Sequence, residues 1–67
     1  MKTELRYHSD IFFTHPDGIK DMAQTLLYKH RDECEANANE IKDNMLRVGC
    51  TDISIHTRET YVVIKSA

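Results

Sequence analysis

Glycine and cysteine occur only twice each in the 67 residues and proline once, and where these few residues stand excludes several chemistries. Neither glycine belongs to a phosphate-binding loop or a Gly-x-Ser-x-Gly elbow, the signatures of nucleotide binding and acyl transfer. Neither Cys-x-x-Cys nor His-x-x-x-His occurs, although four histidines are present, and a closed zinc site needs four ligands. Long apolar runs are missing as well. None approaches the ~18 residues that span a bilayer, and Lys2, Glu4 and Arg6 interrupt any signal-like segment near the start. An excess of positive charge is also lacking: the net charge is -2 and the pI about 6.0, which gives no global attraction to phosphate or anionic lipid. The expectations are no cofactor, no metal, no membrane association and a cytoplasmic location.

What is present suits a single small domain over residues 1–67. The apolar fraction of 40% and charged fraction of 30% are ordinary for a globular chain, with no repeat, linker or low-complexity stretch. A domain of this size buries only about 60% of its unfolded surface. Its stability margin is therefore thin, and association as a homodimer would widen it.

The dominant pattern runs from Asp17 to Val48. Ile19, Met22/Ala23, Leu26/Leu27, His30, Cys34, Asn37/Ala38, Ile41, Met45 and Val48 recur every three or four residues, which predicts one long amphipathic helix. Thr14-His15-Pro16-Asp17 reads as its capping box, and Gly49 as the left-handed residue that closes its last turn, with Cys50 returning to Met45. Such a helix would be about 48 Å long against strands of about 20 Å. It must overhang its sheet, or bend near Arg31 to Glu40 where the apolar stripe thins. On one straight helix Cys34 and Cys50 would lie about 24 Å apart, too far to bridge.

Residues 3–14 alternate, with Leu5, Tyr7, Ser9, Ile11 and Phe13 on one side and Arg6, His8, Asp10, Phe12 and Thr14 on the other. One long strand that tolerates a bulge is the reading; two short strands broken at His8–Asp10 are the alternative. Asp52–Thr57 and Tyr61–Ile64 read as two further strands joined by a turn at Arg58–Glu59. The fold class that follows is α+β, one long amphipathic helix on a three-stranded antiparallel sheet, β-α-β-β in order 1-3-2. Tyr61–Ile64, apolar on both faces, would be central.

His30 and Cys34 have the four-residue spacing that puts two ligands on one helix face, but both sit on the apolar stripe, as a buried cysteine and histidine would. No enzyme signature is found. The charge on the helix is uneven: Asp32, Glu33, Glu35, Glu40 and Asp43 face Lys42 alone, and Asp32, Glu35, Asn39 and Asp43 share an outward face. The cations Lys2, Arg6, Lys20, Lys29, Arg31, Arg47, Arg58 and Lys65 are scattered. The resulting expectation is a non-enzymatic protein-binding module of inhibitor or adaptor type, of the kind phages and mobile elements encode. It would dock on a larger protein through Asp32, Glu35 and Asp43 and through an open sheet face carrying Phe12, Tyr61 and Val63. The alternative is a nucleic-acid-associated regulator whose dimer assembles a basic surface.

Overall fold

Pro16, Asp17 and Gly18 turn the chain back on itself. In the computed structural model, which describes residues 2–65, the Gly18 amide donates to the His15 carbonyl at 2.8 Å and the His15 amide to the Ile19 carbonyl at 2.8 Å. Gly18 has φ 92°, a left-handed conformation that glycine adopts without steric cost. Pro-Asp-Gly between two apolar runs is a turn signal. Here it joins β1 (Lys2–Thr14) to β2 (Lys20–Gln24) as an antiparallel hairpin, with Phe12 opposite Met22 and Thr14 opposite Lys20.

The helix expected over Asp17–Val48 is therefore shortened to α1 (Arg31–Arg47). The turn prevails over the capping box because the residues that follow it can complete a ladder on β1. Past β2 the Thr25 amide still donates to the Ser9 carbonyl at 3.0 Å, and Tyr7 and Tyr28 exchange both backbone bonds at 2.8 Å. The apolar spacing over the first half of the expected helix is not a buried stripe: Ile19, Met22, Leu26 and Leu27 are exposed. The anticipated end of the helix is found. Gly49 lies at φ 93°, its amide donates to the Leu46 carbonyl at 3.2 Å, and the Cys50 amide donates to the Met45 carbonyl at 2.9 Å. These two bonds form a Schellman motif that satisfies carbonyls the helix leaves open.

β3 is one strand, Thr51–Ile64, and not the expected pair. Arg58 and Glu59 have no feature that enforces reversal, and both stay in the ladder, opposite His8 and Tyr7. A bulge occurs, but on β3 and not on the expected first strand: between Phe12 and Thr14 the residues Asp52 and Ile53 face Phe13 alone, and Asp52 takes φ 53°. The sheet order is β2-β1-β3. The class is the expected α+β, a helix on a three-stranded antiparallel sheet, but the order of elements is β-β-α-β and the central strand is β1.

The core lies between α1 and the odd-numbered face of β1 and β3. Ile11, Phe13, Cys34, Ala38 and Cys50 are buried, with Ser9 among them. Ser9 Oγ lies 3.2 Å from Cys34 Sγ and 2.9 Å from Thr57 Oγ1, so its hydroxyl is satisfied inside the core. Strands of 13 and 14 residues reach about 45 Å, whereas the 17-residue α1 spans about 26 Å. The overhanging element is thus the β1–β3 ribbon, which accounts for the 47 Å long axis. α1 begins near Tyr7, over whose ring Arg31 lies at 5.9 Å. The ribbon end formed by Lys2–Arg6 and Thr60–Ile64 runs on past it.

Candidate docking surfaces

The sheet face opposite the helix is built from even-numbered positions. Cross-strand partners share a face, and the register aligns Arg6 with Thr60, His8 with Arg58, Asp10 with His56 and Gln24, and Phe12 with Ser54 and Met22. At its centre Asp10 is 7% exposed. Its Oδ1 accepts from Gln24 Nε2 at 2.9 Å and its Oδ2 from Arg58 Nε at 2.7 Å, while His8 Nε2 lies 3.5 Å away. The Gln24 hydrogen bond, then the Arg58 hydrogen bond and the charges of His8 and Arg58, hold the Asp10 carboxyl below the usual range against the opposing effect of burial. His8 Nδ1 is buried without a partner among the described residues. Phe12 packs edge-on against His56 at 5.6 Å between centroids, and Phe12 and Met22 remain exposed.

This constellation is legible only with the β3 register. Alternation along β1 groups Arg6, His8, Asp10 and Phe12, but a turn at Arg58–Glu59 would remove Arg58 and His56 from their neighbourhood. The same register collects cations that are scattered in the sequence: Lys2, Arg6, Lys20 and Arg58 lie on this face, together with Phe12 and His56. Glu4 and Asp10 pair with Arg6 and Arg58 there, at 2.6 and 2.7 Å.

The outward face of α1 carries the opposite sign. Asp32, Glu33, Glu35, Glu40 and Asp43 are exposed, while Cys34 and Ala38 turn inward. Glu35 accepts from Arg31 Nε at 3.2 Å; among the described residues the other four carboxylates make no ion pair. Asp32 and Glu33 occupy the first helical turn, where the partial positive charge of the helix end favours them.

Phe12, Tyr61 and Val63 do not share a face. Tyr61 and Val63 pair with Leu5 and Thr3, on the helix side, whereas Phe12 belongs to the opposite side. Tyr61 and Val63 are nevertheless 71% and 55% exposed, because they lie on the part of the ribbon that α1 does not cover. His30 and Cys34 are likewise separated: His30 is an exposed residue preceding the helix and Cys34 is sealed against Ser9. A shallow groove of about 280 Å³ at the other end of the sheet is lined by Phe12, Phe13, Thr14, Lys20, Asp21 and Asp52, smaller than the usual small-molecule site of about 300–1,000 Å³. Beside it Asp21 accepts from His15 at 2.9 Å and from the Met22 amide. Among the described residues no helix is long and apolar enough to cross a membrane.

No family model, curated protein or solved structure matches the chain.

Proposed function

We propose that the chain is a non-enzymatic protein-binding module of inhibitor or adaptor type, acting in the cytoplasm as a homodimer and docking on a larger protein through the acidic face of α1. The observation that carries this reading is the separation of charge between the two sides of the molecule. Asp32, Glu33, Glu35, Glu40 and Asp43 project from the helix and outnumber its Arg31, Lys42 and Arg47, whereas on the far side of the sheet Lys2 and Lys20 add positive charge beside Arg6 and Arg58, which are paired with Glu4 and Asp10. A field divided in this way orients encounter with a basic surface and raises the association rate. The test is capture by the tagged chain from lysate, with and without nuclease, beside a variant carrying Asp32→Lys, Glu35→Lys and Asp43→Lys. A protein retained under both conditions by the wild type and lost by the variant supports the reading. Equal retention by both chains overturns it.

A second reading, a nucleic-acid-associated regulator, is favoured by the sheet face itself, where Lys2, Arg6, Lys20 and Arg58 accompany Phe12 and His56 in the mixture of cations and flat rings that single strands use. Retention that disappears with nuclease and falls steeply with salt would move the assignment there.

A further inference from the structure

We infer that the free edge of β3 from Glu59 to Ile64, continued by Lys65 just past the strand, is a self-pairing surface, on which a second copy of the chain adds its own Glu59–Lys65 segment antiparallel about a twofold axis at Val62. The inference deepens the dimeric part of the proposed function and does not depend on which target the helix meets.

The direction of the backbone groups comes first. Tyr7 spends its N–H and C=O on Tyr28, and Ser9 accepts from Thr25 through its carbonyl, so odd-numbered residues of β1 bond towards β2. Backbone groups alternate along an antiparallel strand. Even-numbered residues of β1 therefore bond towards β3, and their partners Arg58, Thr60, Val62 and Ile64 are used within the chain. Glu59, Tyr61 and Val63 turn their N–H and C=O groups to the unoccupied side. β3 is an edge strand, and from Glu59 to Lys65 the chain carries no proline, glycine or bulge to keep the edge from pairing; its two charged residues there, Glu59 and Lys65, stand at the ends of the segment.

The side chains then select the partner and the register. Two copies of one strand pair antiparallel about a twofold axis normal to the sheet, which keeps both helices on the same face. With the axis at Val62, Tyr61 stands opposite Val63 of the second copy, Glu59 opposite its Lys65, Thr60 opposite its Ile64, and Val62 opposite itself. Each aromatic–aliphatic and charged pair occurs twice by symmetry, and cross-strand pairs of both kinds are favourable. Neighbouring registers lose this match. An axis at Tyr61 sets Glu59 against Val63, one at Val63 sets Tyr61 against Lys65, and one at Glu59 sets that carboxylate against itself. The register at Val62 closes about four inter-chain backbone hydrogen bonds between Tyr61 and Val63, and about eight when Lys65 continues the strand, brings the exposed Tyr61 and Val63 side chains together, and gives a six-stranded sheet ordered β2-β1-β3-β3-β1-β2. The helices pack on Ser9 through Cys34 and begin near Tyr7, opposite Glu59, so they reach only the outer ends of the joint.

The test is the oligomeric state of the full chain by sedimentation equilibrium from micromolar to millimolar concentration. Tyr61→Pro removes a donor that has no partner among the described residues, a position where an edge strand accepts proline. It is expected to give a monomer with an unchanged circular dichroism spectrum. Glu59→Lys or Lys65→Glu alone sets like charges opposite each other at two symmetry-related places and is expected to weaken dimerisation about ten-fold, whereas the double reversal restores it to within about two-fold. If Tyr61→Pro unfolds the chain, the reversals, which break no ladder bond, decide the matter. A wild type that stays monomeric, or a dimer whose affinity neither reversal changes, overturns the inference. A dimer that obeys the reversals but captures no target supports the pairing while counting against the docking role, and a monomer that captures a target does the opposite. Pairing with a strand of another protein would appear as a monomeric chain whose capture of that protein is lost in Tyr61→Pro, and it too overturns self-pairing.

Discussion

Arg58 donates from Nε to Oδ2 of Asp10 at 2.7 Å, diagonally across the β1–β3 ladder, and Gln24 donates to the other oxygen of the same carboxylate from β2. One buried acidic side chain on the central strand thus ties both outer strands to it. The pair is asymmetric in exposure, since the Asp10 side chain is 11% exposed and that of Arg58 58%. Asp10 therefore depends on its partners more than Arg58 does.

Asp10→Asn is expected to destabilise the fold at neutral pH by about 1–2 kcal/mol, the usual cost of disturbing a buried charge-assisted bond. The pH dependence follows from the lowered folded-state pKa of Asp10. An unfolded aspartate takes up its proton near the ordinary value of about 3.9, and the folded one does so at lower pH. Between these values the unfolded chain holds more protons, so stability rises with pH. The Asp10 contribution is fully present above about pH 4 and is lost as pH falls through the folded value. Urea unfolding of wild type and variant from pH 7 to pH 2 checks this: the gap between them should close on the acid side. A constant gap contradicts it.

Two backbone positions predict opposite responses to a simple substitution. Gly18 lies at φ 92° with nothing within 4 Å of where a Cβ would stand, so Gly18→Ala is expected to cost about 1 kcal/mol through conformational strain alone. Asp52 occupies the bulge at φ 53°, where its Cβ is the unfavourable feature. Asp52→Gly should therefore gain about 0.5 kcal/mol and Asp52→Val lose about 1–2 kcal/mol. Thermal melts resolve these differences, because 1 kcal/mol moves the midpoint of a domain this small by about 4–8 °C.

Particular residues show what the sequence discloses. The two-residue alternation of β1 correctly places Tyr7, Ile11 and Phe13 on the helix side and His8, Asp10 and Phe12 away from it, while Leu5 shares the helix-side face but lies beyond the end of α1, because a strand's faces follow from its period alone. Gly49 marks the helix end for an equally local reason. Pro16-Asp17-Gly18 is ambiguous locally: the same residues suit a helix start and a hairpin turn, and the ladder on β1 chooses between them. Arg58 and Glu59 mislead in the reverse way, since two charged residues between apolar runs resemble a turn until the pairing with Tyr7 and His8 carries the strand through. The cluster around Asp10 depends on that non-local register. The acidic helix face is visible in three- and four-residue spacing and survives the shortening of the helix, because all of it lies after Arg31.

The two thiols report on the core. Cys34 and Cys50 are free and buried at opposite ends of α1, with Cys34 wholly enclosed against Ser9 and Thr25. Reaction of Cys34 with an aromatic disulfide reagent is expected to proceed at the rate of opening rather than of collision. A Cys50→Ala chain isolates this signal. Its labelling rate should rise with urea in parallel with the unfolded fraction, and rapid labelling in buffer would show that the helix does not seal the Ser9 side of the sheet.

Joint reversal of Asp32, Glu35 and Asp43 to lysine separates the two roles those residues could have. For stability they matter little. Glu35 makes an exposed pair with Arg31, of a kind worth about 0.3–0.5 kcal/mol, and Asp32 adds a helix-end interaction of about 0.3–1 kcal/mol. The variant should therefore stay folded and, with the β3 edge untouched, retain the oligomeric state of the wild type. Recognition of a basic surface has no such tolerance, since like charges brought together across an interface cost several kcal/mol. A loss of target binding of at least about 100-fold is expected, with the wild-type affinity falling as salt rises. A variant that melts within a few degrees of wild type and still binds would show that docking runs through another face, and a variant that unfolds would show that the acidic residues are structural after all.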